Sequence, residues 1–280
     1  MKSRNLIYLS SVFYLFAAHI SATGEKIDNS VQAQSMLAVL YAQSSAEYEA
    51  NNLQTFAGAK LALEKALVNK NWTAAIEQKE DFSEKPPAVI LDIDETVLNN
   101  IPFQARAIIK GEGYPSGWID WMLEEASTSV SGAKDFLEYA EKKGVKIFYV
   151  TNRVAIAEEA TRNNLKKLGL PLDTDRDVLL MKNENGWTSD KVSRRQLISK
   201  DYRVLLLIGD QLGDFISLEE SSVNMDSRQA ISTKYKDMWG KKWFMITNPI
   251  YGRWEASLYN NEYPENEDEL IKMRMKALKP

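Results

Sequence analysis

The sequence predicts an α/β fold, built as a doubly wound parallel sheet. Short apolar runs, typical of strands buried on both faces, alternate with segments whose apolar residues recur every three or four positions. Strands that alternate with helices form βαβ units, so the strands lie parallel and their carboxyl ends meet at one edge. With 44% hydrophobic and 26% charged residues, the chain has a globular rather than a disordered composition.

The first 23 residues have the pattern of a secretory signal peptide. Lys2 and Arg4 precede an apolar stretch over residues 6–18, and small residues follow it. The alternative is a membrane anchor, but the stretch is shorter than the roughly 20 residues that a spanning helix needs. We therefore expect an exported protein, periplasmic or secreted, whose one mature domain covers residues 24–280.

The other elements follow in order along the chain. A helical lead-in of two or three helices is expected over about residues 29–80, and a cap-like insertion, rich in Gly, Pro and Trp, over about 99–131. Buried strands are predicted over residues 88–91, 145–150, 178–181, 204–208 and 243–246. Helices between the strands are predicted over residues 133–143, 155–168 and 212–220.

The composition excludes several classes of enzyme. Cysteine is absent, which excludes disulfides, thiolate zinc sites, iron–sulfur clusters, thiol nucleophiles and a lipid anchor through cysteine. His19 is the only histidine, and it lies in the predicted signal peptide. A mature chain without histidine cannot be a Ser-His-Asp hydrolase, a histidine phosphatase or a His-ligated zinc enzyme. The net charge of -4 provides no field for a nucleic acid polymer.

Acidic residues stand at the ends of two predicted strands. Asp92 and Asp94 follow the first strand, and Asp210 and Asp214 follow the fourth. Ligands of doubly wound sheets bind beyond these strand ends. An isolated Asp-x-Asp is more often a solvated loop, here with Thr96 as a helix cap, but the convergence of several polar strand ends favours a site.

The candidate site has only oxygen ligands to offer a metal. Carboxylates without histidine or cysteine suit Mg²⁺ better than zinc or copper. Thr151 and Asn152 add hydroxyl and amide groups at the end of the second strand. A carboxylate beside a phosphate is repelled unless a metal and a lysine neutralise the charge. Lys191 is the candidate lysine, although a surface position is the common one for this residue type.

These segments resemble the four motifs of the haloacid-dehalogenase superfamily of phosphatases, and more closely the class C bacterial acid phosphatases, a group of 5′-nucleotidase and lipoprotein type. Residues 45–48, 144–153 and 247–255 also resemble that group, so the resemblance covers roughly residues 30–260. It implies a Rossmannoid core of the haloacid-dehalogenase type and magnesium-dependent hydrolysis of phosphomonoesters through a phosphoaspartate. Many members carry a lipobox cysteine, and its absence here favours a soluble exported form.

The resemblance also implies a role for each candidate residue. Asp92 is the nucleophile, and Asp94 protonates the leaving alcohol and then activates water. Thr151 and Asn152 match the phosphate-binding second motif, and Lys191 matches the third. The implied magnesium ligands are Asp92, the main-chain carbonyl of Asp94, and Asp210, with Asp214 in support.

Aromatic residues outside the motifs are candidates for substrate recognition. Trp118 and Trp121 lie in the insertion, and Tyr251 and Trp254 lie in the late loop. The resemblance suggests that one pair stacks a nucleobase, and we favour Trp118 and Tyr251. Core packing is the alternative for each ring.

The expected partners are small phosphate esters, nucleoside monophosphates among them, and a homodimer is left open. A non-catalytic storage or adhesion protein on the same scaffold is the first alternative. A phosphotransferase that passes the phosphoryl group to an alcohol instead of water is the second.

Overall fold

The computed structural model describes residues 31–280, so the predicted signal peptide lies outside the described residues. The strands are β1 (Pro87–Leu91), β2 (Leu98–Asn99), β3 (Thr128–Ser129), β4 (Lys146–Val154), β5 (Leu179–Lys182), β6 (Arg203–Gly209) and β7 (Trp243–Met245). Five of them form a parallel sheet in the order β5-β4-β1-β6-β7, which confirms the predicted α/β fold class. The acidic residues after β1 and β6 therefore belong to neighbouring strands.

The sheet is covered by helices on both faces. The helices of the described residues are α1 (Val31–Gln34), α2 (Met36–Ser44), α3 (Ala46–Val68), α4 (Ile101–Lys110), α5 (Trp118–Glu124), α6 (Ala133–Lys142), α7 (Glu158–Lys167), α8 (Val192–Asp201), α9 (Leu218–Ser221), α10 (Met225–Lys234), α11 (Arg253–Ala256) and α12 (Glu267–Ala277). Short 3₁₀ turns lie at Ala155–Ala157, Leu212–Asp214 and Ser257–Tyr259. None of the helices described is long and apolar enough to cross a membrane.

Alternate residues of β1 point to opposite faces and enter two separate apolar clusters. Val89 and Leu91 pack with residues of α3 and α6, including Phe56 and Phe136. Ile90 packs on the other face, with Phe148, Val204, Leu207 and Trp243. Because both faces of β1 are buried, its sequence is a continuous apolar run. Packing on both faces fixes the carboxyl end of β1 at the centre of the sheet.

The insertion over residues 99–131 contains more regular structure than its sequence suggests. It folds as α4 and α5, closed at its base by the antiparallel pair of β2 with β3. The rings of Phe103 on α4 and Trp121 on α5 lie 6.2 Å apart between centroids. This contact joins α4 to α5.

Three element boundaries differ from the sequence-based expectation. The helical lead-in ends at Val68 and not near residue 80. Residues 72–74 form hydrogen bonds to β6 instead of continuing the helix, and Trp72 Nε1 donates to the Leu205 carbonyl at 2.7 Å. Strand β4 continues to Val154, beyond the predicted end at residue 150. The helix predicted over 212–220 is divided into a 3₁₀ turn and α9, since the Ser217 side chain caps α9.

The carboxyl end of α3 is held by a buried arginine. Arg203, at the start of β6, is 3% exposed and donates to the carbonyls of Ala66 at 3.0 Å, Asn69 at 2.6 Å and Leu67 at 3.4 Å. A helix end otherwise leaves its last carbonyls without partners. The guanidinium therefore joins the lead-in helix to the sheet.

We predict that Arg203→Lys lowers the free energy of unfolding by about 1–3 kcal/mol, because one ammonium group cannot replace the guanidinium fork. Urea denaturation measures the change, and activity per folded molecule stays the same because Arg203 begins β6 whereas the acidic residues follow its end. Lys200→Arg, at an exposed position of α8, is the control. An unchanged unfolding midpoint in Arg203→Lys would contradict the prediction.

Candidate active site

The loop after β1 brings Asp92 and Asp94 to the same edge of the sheet. The Asp92 N–H donates to the Ile208 carbonyl at 3.0 Å, which extends the β1–β6 pairing by one residue. Ile93 is fully buried, and its carbonyl accepts hydrogen bonds from three following N–H groups, those of Thr96, Val97 and Leu98. The chain has therefore left the strand conformation before Asp94.

Lys191 joins two of the predicted acidic residues. Its ammonium group, at the residue preceding α8, donates to Asp92 Oδ1 and, at 2.6 Å, to Asp214 Oδ1. Lys191 is 5% exposed, and Asp92 and Asp214 are each 8% exposed. Lys191 is thus a buried residue of the site and not a surface lysine.

Asp210 completes a compact acidic cluster. Carboxylate oxygens of Asp92, Asp210 and Asp214 all lie within 4.8 Å of one another. Asn248 Nδ2 donates to Asp210 Oδ2 at 2.8 Å, and Gln211 Nε2 donates to the same oxygen at 3.0 Å. The Gln211 N–H also donates to Asp214 Oδ2 at 2.9 Å, so one residue orients two carboxylates.

The charges of the cluster do not balance. Burial raises the pKa of Asp92 well above its usual range, and the carboxylates of Asp214 and Asp210 raise it further, although Lys191 opposes them. Burial and Asp214 raise the pKa of Asp210 to about 7. Three carboxylates facing one ammonium group, all with oxygen donors, are the environment that suits a hard divalent cation.

Thr151 and Asn152 lie inside β4 and not after it. Thr151 is buried, and its Oγ1 accepts from the Arg153 N–H at 3.0 Å. Asn152 is exposed, with its Nδ2 donating to the Ser189 carbonyl at 3.1 Å. The guanidinium of Arg194 on α8 donates to the Thr151 carbonyl at 2.5 Å and to Asn152 Oδ1 at 2.9 Å. The second motif and the lysine loop are therefore fixed to each other.

The carboxylate of Asp94 lies outside the acidic cluster, in a separate set of hydrogen bonds. Arg153 Nε donates to Asp94 Oδ1 at 2.8 Å, and Asn100 Nδ2 donates to the same oxygen at 2.9 Å. Both donors are buried, with Arg153 at 1% and Asn100 at 0% exposure. The two aspartates of the first motif are thus held by different partners.

The candidate aromatic residues have different environments. Trp118 is half-buried, 5.1 Å from the Phe103 ring between centroids, and the Arg153 guanidinium carbon lies 5.7 Å from its ring centroid. Tyr251 is half-buried, and its carbonyl accepts from Gln211 Nε2 at 3.4 Å. Trp121 is 2% exposed, so it is a core residue. The Trp118 ring therefore lies beside Arg153, a partner of Asp94, whereas Tyr251 contacts Gln211 only through its main-chain carbonyl.

Sequence reasoning assigned no role to several residues that hold the site. Arg153 and Arg194 each lie within three residues of a motif residue, and this proximity was the available signal. Asn248 lies in the stretch 247–255, which the resemblance had already marked. Nothing in the local sequence distinguishes Asn100 from other polar residues. Arg195 also belongs to this group, because it donates to the Asp214 carbonyl at 3.0 Å.

Comparison with known proteins agrees with this geometry. The sequence model of HAD superfamily, subfamily IIIB (Acid phosphatase), matches residues 16–254. The chain belongs to this family. The class C acid phosphatase from Bacillus anthracis is 33% identical, with a TM-score of 0.77 over 89% of this chain and 98% of that chain. A structure described as the same enzyme with tungstate bound gives a TM-score of 0.78 at 32% identity, with the same coverage of both chains.

A plant relative covers less of this acid phosphatase. Vegetative storage protein 1 of Arabidopsis thaliana is 27% identical over 135 residues, which are 45% of this chain. The matched region spans 48% of that relative, about half of its length. The assignment to a family of phosphomonoesterases rests on the family model and the bacterial structures, which cover most of the chain.

Gly209, at the end of β6, determines where Asp214 can lie. A β-carbon at this position would overlap the Asp214 carboxyl group. We predict that Gly209→Ala displaces Asp214 and lowers kcat/KM by about 100-fold, the loss that a misplacement of about 1 Å can cause. Steady-state phosphate release measures the loss, and circular dichroism checks the fold.

Gly58→Ala on α3 is the matched control, since its β-carbon would meet the Phe244 ring at an ordinary 3.4 Å. Alanine is also the better helix former, so this variant keeps full activity. Equal activities of Gly209→Ala and Gly58→Ala would contradict the role given to Gly209.

Proposed function

We propose that this acid phosphatase hydrolyses phosphomonoesters with Mg²⁺ and through a phosphoaspartate on Asp92. The observation that supports it best is the contact of buried Lys191 with both Asp92 and Asp214. A lysine so placed can neutralise an incoming phosphate beside an aspartate nucleophile. The binding of tungstate by the Bacillus anthracis enzyme also supports the proposal, since tungstate is a tetrahedral oxyanion like phosphate.

Mg²⁺ would be held by the carboxylates of Asp92 and Asp210 and by the main-chain carbonyl of Asp94, with Asp214 in support. The cation, when bound, screens the charge between nucleophile and phosphate and withdraws electron density from the phosphoryl oxygens. Asn248 and Gln211 hold Asp210 in one orientation before binding. This orientation reduces the reorganisation that metal binding requires.

In the first step a carboxylate oxygen of Asp92 attacks phosphorus, and the bond from phosphorus to the ester oxygen breaks. Asp94, in its acid form, gives its proton to the departing oxygen, so that an alcohol leaves. Lys191 favours the ionised form of Asp92 against the effect of burial. Lys191, Thr151 and Asn152 are the residues that would bind the phosphate.

In the second step a water molecule attacks the phosphorus atom of the phosphoaspartate. Asp94, now a carboxylate, takes the proton of that water, and Asp92 leaves as a carboxylate with release of inorganic phosphate. Both aspartates return to their initial protonation states. The cycle therefore needs no histidine, and the only histidine, His19, lies in the predicted signal peptide.

We infer that nucleoside monophosphates are among the substrates, with the base between Trp118 and Tyr251. The Trp118 ring lies beside Arg153, which donates to Asp94, and the Tyr251 carbonyl accepts from Gln211, which also donates to Asp210, so both residues lie near the acidic residues. Stacking is worth about 1–3 kcal/mol per base and does not distinguish bases.

Two alternatives to this function are a storage or adhesion role, which the name of the plant relative suggests, and phosphotransfer to an alcohol. The buried charges argue against the storage role, because a cluster of Lys191 with three carboxylates costs stability that a non-catalytic protein has no reason to keep. Whether water or an alcohol accepts the phosphoryl group decides the second alternative.

We further infer export, from the signal-like pattern of residues 1–23.

We predict that chelation abolishes phosphate release and that added Mg²⁺ restores it. Asp210→Asn raises the half-saturating Mg²⁺ concentration by about tenfold or more, because it removes a charged ligand but keeps the hydrogen-bonding shape. Asp92→Asn stays inactive at every Mg²⁺ concentration, because the nucleophile is missing. Mg²⁺ titrations of initial rates measure both effects.

Asp237→Asn, at an exposed residue paired with Lys241, is the matched control and keeps the wild-type Mg²⁺ dependence. Full turnover in chelator after exhaustive dialysis would contradict the metal requirement. Turnover by Asp92→Asn would contradict the assigned nucleophile.

We predict that Trp118→Ala and Tyr251→Ala each lower kcat/KM for nucleoside monophosphates by the stacking energy, about 1–3 kcal/mol. Rates on small phosphate esters change little, because phosphate and metal contacts are common to every substrate. Tyr263→Ala, which removes a ring that is 53% exposed, is the control. Parallel losses on all substrates with lowered thermal stability would instead identify the two rings as core residues.

A further inference from the structure

Asp94 has two carboxylate oxygens in different situations. Oδ1 accepts two hydrogen bonds, from Arg153 Nε at 2.8 Å and from Asn100 Nδ2 at 2.9 Å. Within residues 31–280, Oδ2 accepts no hydrogen bond from a protein group. With Oδ1 occupied by these two donors, Oδ2 is the oxygen that is left to give or take a proton.

Arg153 is fixed on every side, so it cannot follow a rotation of Asp94. Its Nη1 donates to Thr161 Oγ1 at 3.2 Å, and its Nη2 donates to Asn100 Oδ1 at 3.1 Å. A planar fork with three directed hydrogen bonds positions its partner far better than an ammonium group does.

Asn100 is equally constrained, by residues of the insertion. Its Oδ1 accepts from Trp121 Nε1 at 2.8 Å and from Ser127 Oγ at 2.7 Å, in addition to Arg153. These acceptor contacts determine which way the amide faces, so its Nδ2 points to Asp94. The insertion thus fixes the donor that holds Asp94.

We propose that Arg153 and Asn100 are positioning residues that hold Oδ1 of Asp94 and so leave Oδ2 as the oxygen that exchanges a proton with the leaving oxygen of the substrate. The proton moves from Oδ2 to that oxygen as its bond to phosphorus breaks. The negative charge left on Asp94 is then stabilised by the Arg153 guanidinium. The inference rests on the proposed role of Asp94 as the acid.

The leaving group distinguishes positioning from a structural role. An aliphatic alcohol needs a proton to leave, whereas p-nitrophenol leaves without one. Loss of positioning therefore lowers the rate on glycerol 2-phosphate and spares p-nitrophenyl phosphate. A loss of folded enzyme lowers both rates in proportion.

The experiment measures kcat/KM for both esters by phosphate release in wild type, Asp94→Asn, Arg153→Lys and the double variant. We expect Arg153→Lys to increase the ratio of aryl to aliphatic activity by about tenfold or more. In the Asp94→Asn background, Arg153→Lys should leave that ratio unchanged, because the positioned group is already absent. Arg203→Lys, a second buried arginine that bonds only to main-chain carbonyls, is the control and should not change the ratio.

Asn100→Asp is the second variant, and it decides the question if Arg153→Lys does not fold. It keeps the Oδ1 acceptor for Trp121, Ser127 and Arg153 but replaces the amide donor to Asp94 by an oxygen. We expect the same selective loss on glycerol 2-phosphate.

Parallel losses on both esters in the folded positioning variants would overturn the inference. A further change of the ratio in the double variant would also overturn it, because Arg153 would then act on the substrate directly. Equal losses in Asp94→Asn itself would overturn the acid role of Asp94, and the inference with it. The Asp94→Asn result thus separates failure of the proposed function from failure of the positioning alone.

Discussion

The ammonium group of Lys191 lies between Asp92 and Asp214, almost fully removed from water. Removing one lysine and two carboxylates from water costs several kcal/mol per ion, and their attraction returns this only when the geometry is good. Good geometry requires that the ends of β1 and β6 and the start of α8 be fixed relative to one another. The apolar strands beneath supply the free energy, because both faces of β1 are packed.

Buried arginines fix the loops on which this contact depends. Arg194 donates to the carbonyls of Thr151 and Thr188, and Arg195 donates to the carbonyl of Asp214. Main-chain carbonyls do not ionise, so protonation of a carboxylate partner does not break these bonds. Burial without a paired carboxylate lowers the pKa of Arg194 to about 10. At neutral pH Arg194 is still positively charged, and this charge favours an anion at the acidic site.

The sequence predicts the sheet and the acidic residues because both depend on local pattern. The apolar run before Asp92 is a strand in any context that buries two faces, and aspartates at its end reach the ligand-binding edge. The end of β4 was not predictable in this way. Thr151, Asn152 and Arg153 are polar, yet the strand continues through them, because Arg153 finds Asp94 and Thr161 as buried partners. Those partners are 59 and 8 residues distant in sequence, so only the tertiary fold identifies them. The role of Asn100 could not be predicted from the sequence for the same reason.

Asp92 and Asp94 are two residues apart in sequence but are held by side-chain networks that share no hydrogen bond within the described residues. Asp92 accepts a hydrogen bond from Lys191, which also donates to Asp214. Asp214 accepts a further hydrogen bond from the Gln211 N–H. Asp94 belongs with Arg153 and Asn100, and through Asn100 with the insertion. In the mechanism proposed above, changes in the insertion would reach Asp94 and the step that depends on the leaving group, while the residues that hold Asp92 stay the same. Such a separation would let one scaffold vary the alcohol that it releases without altering the attack on phosphorus.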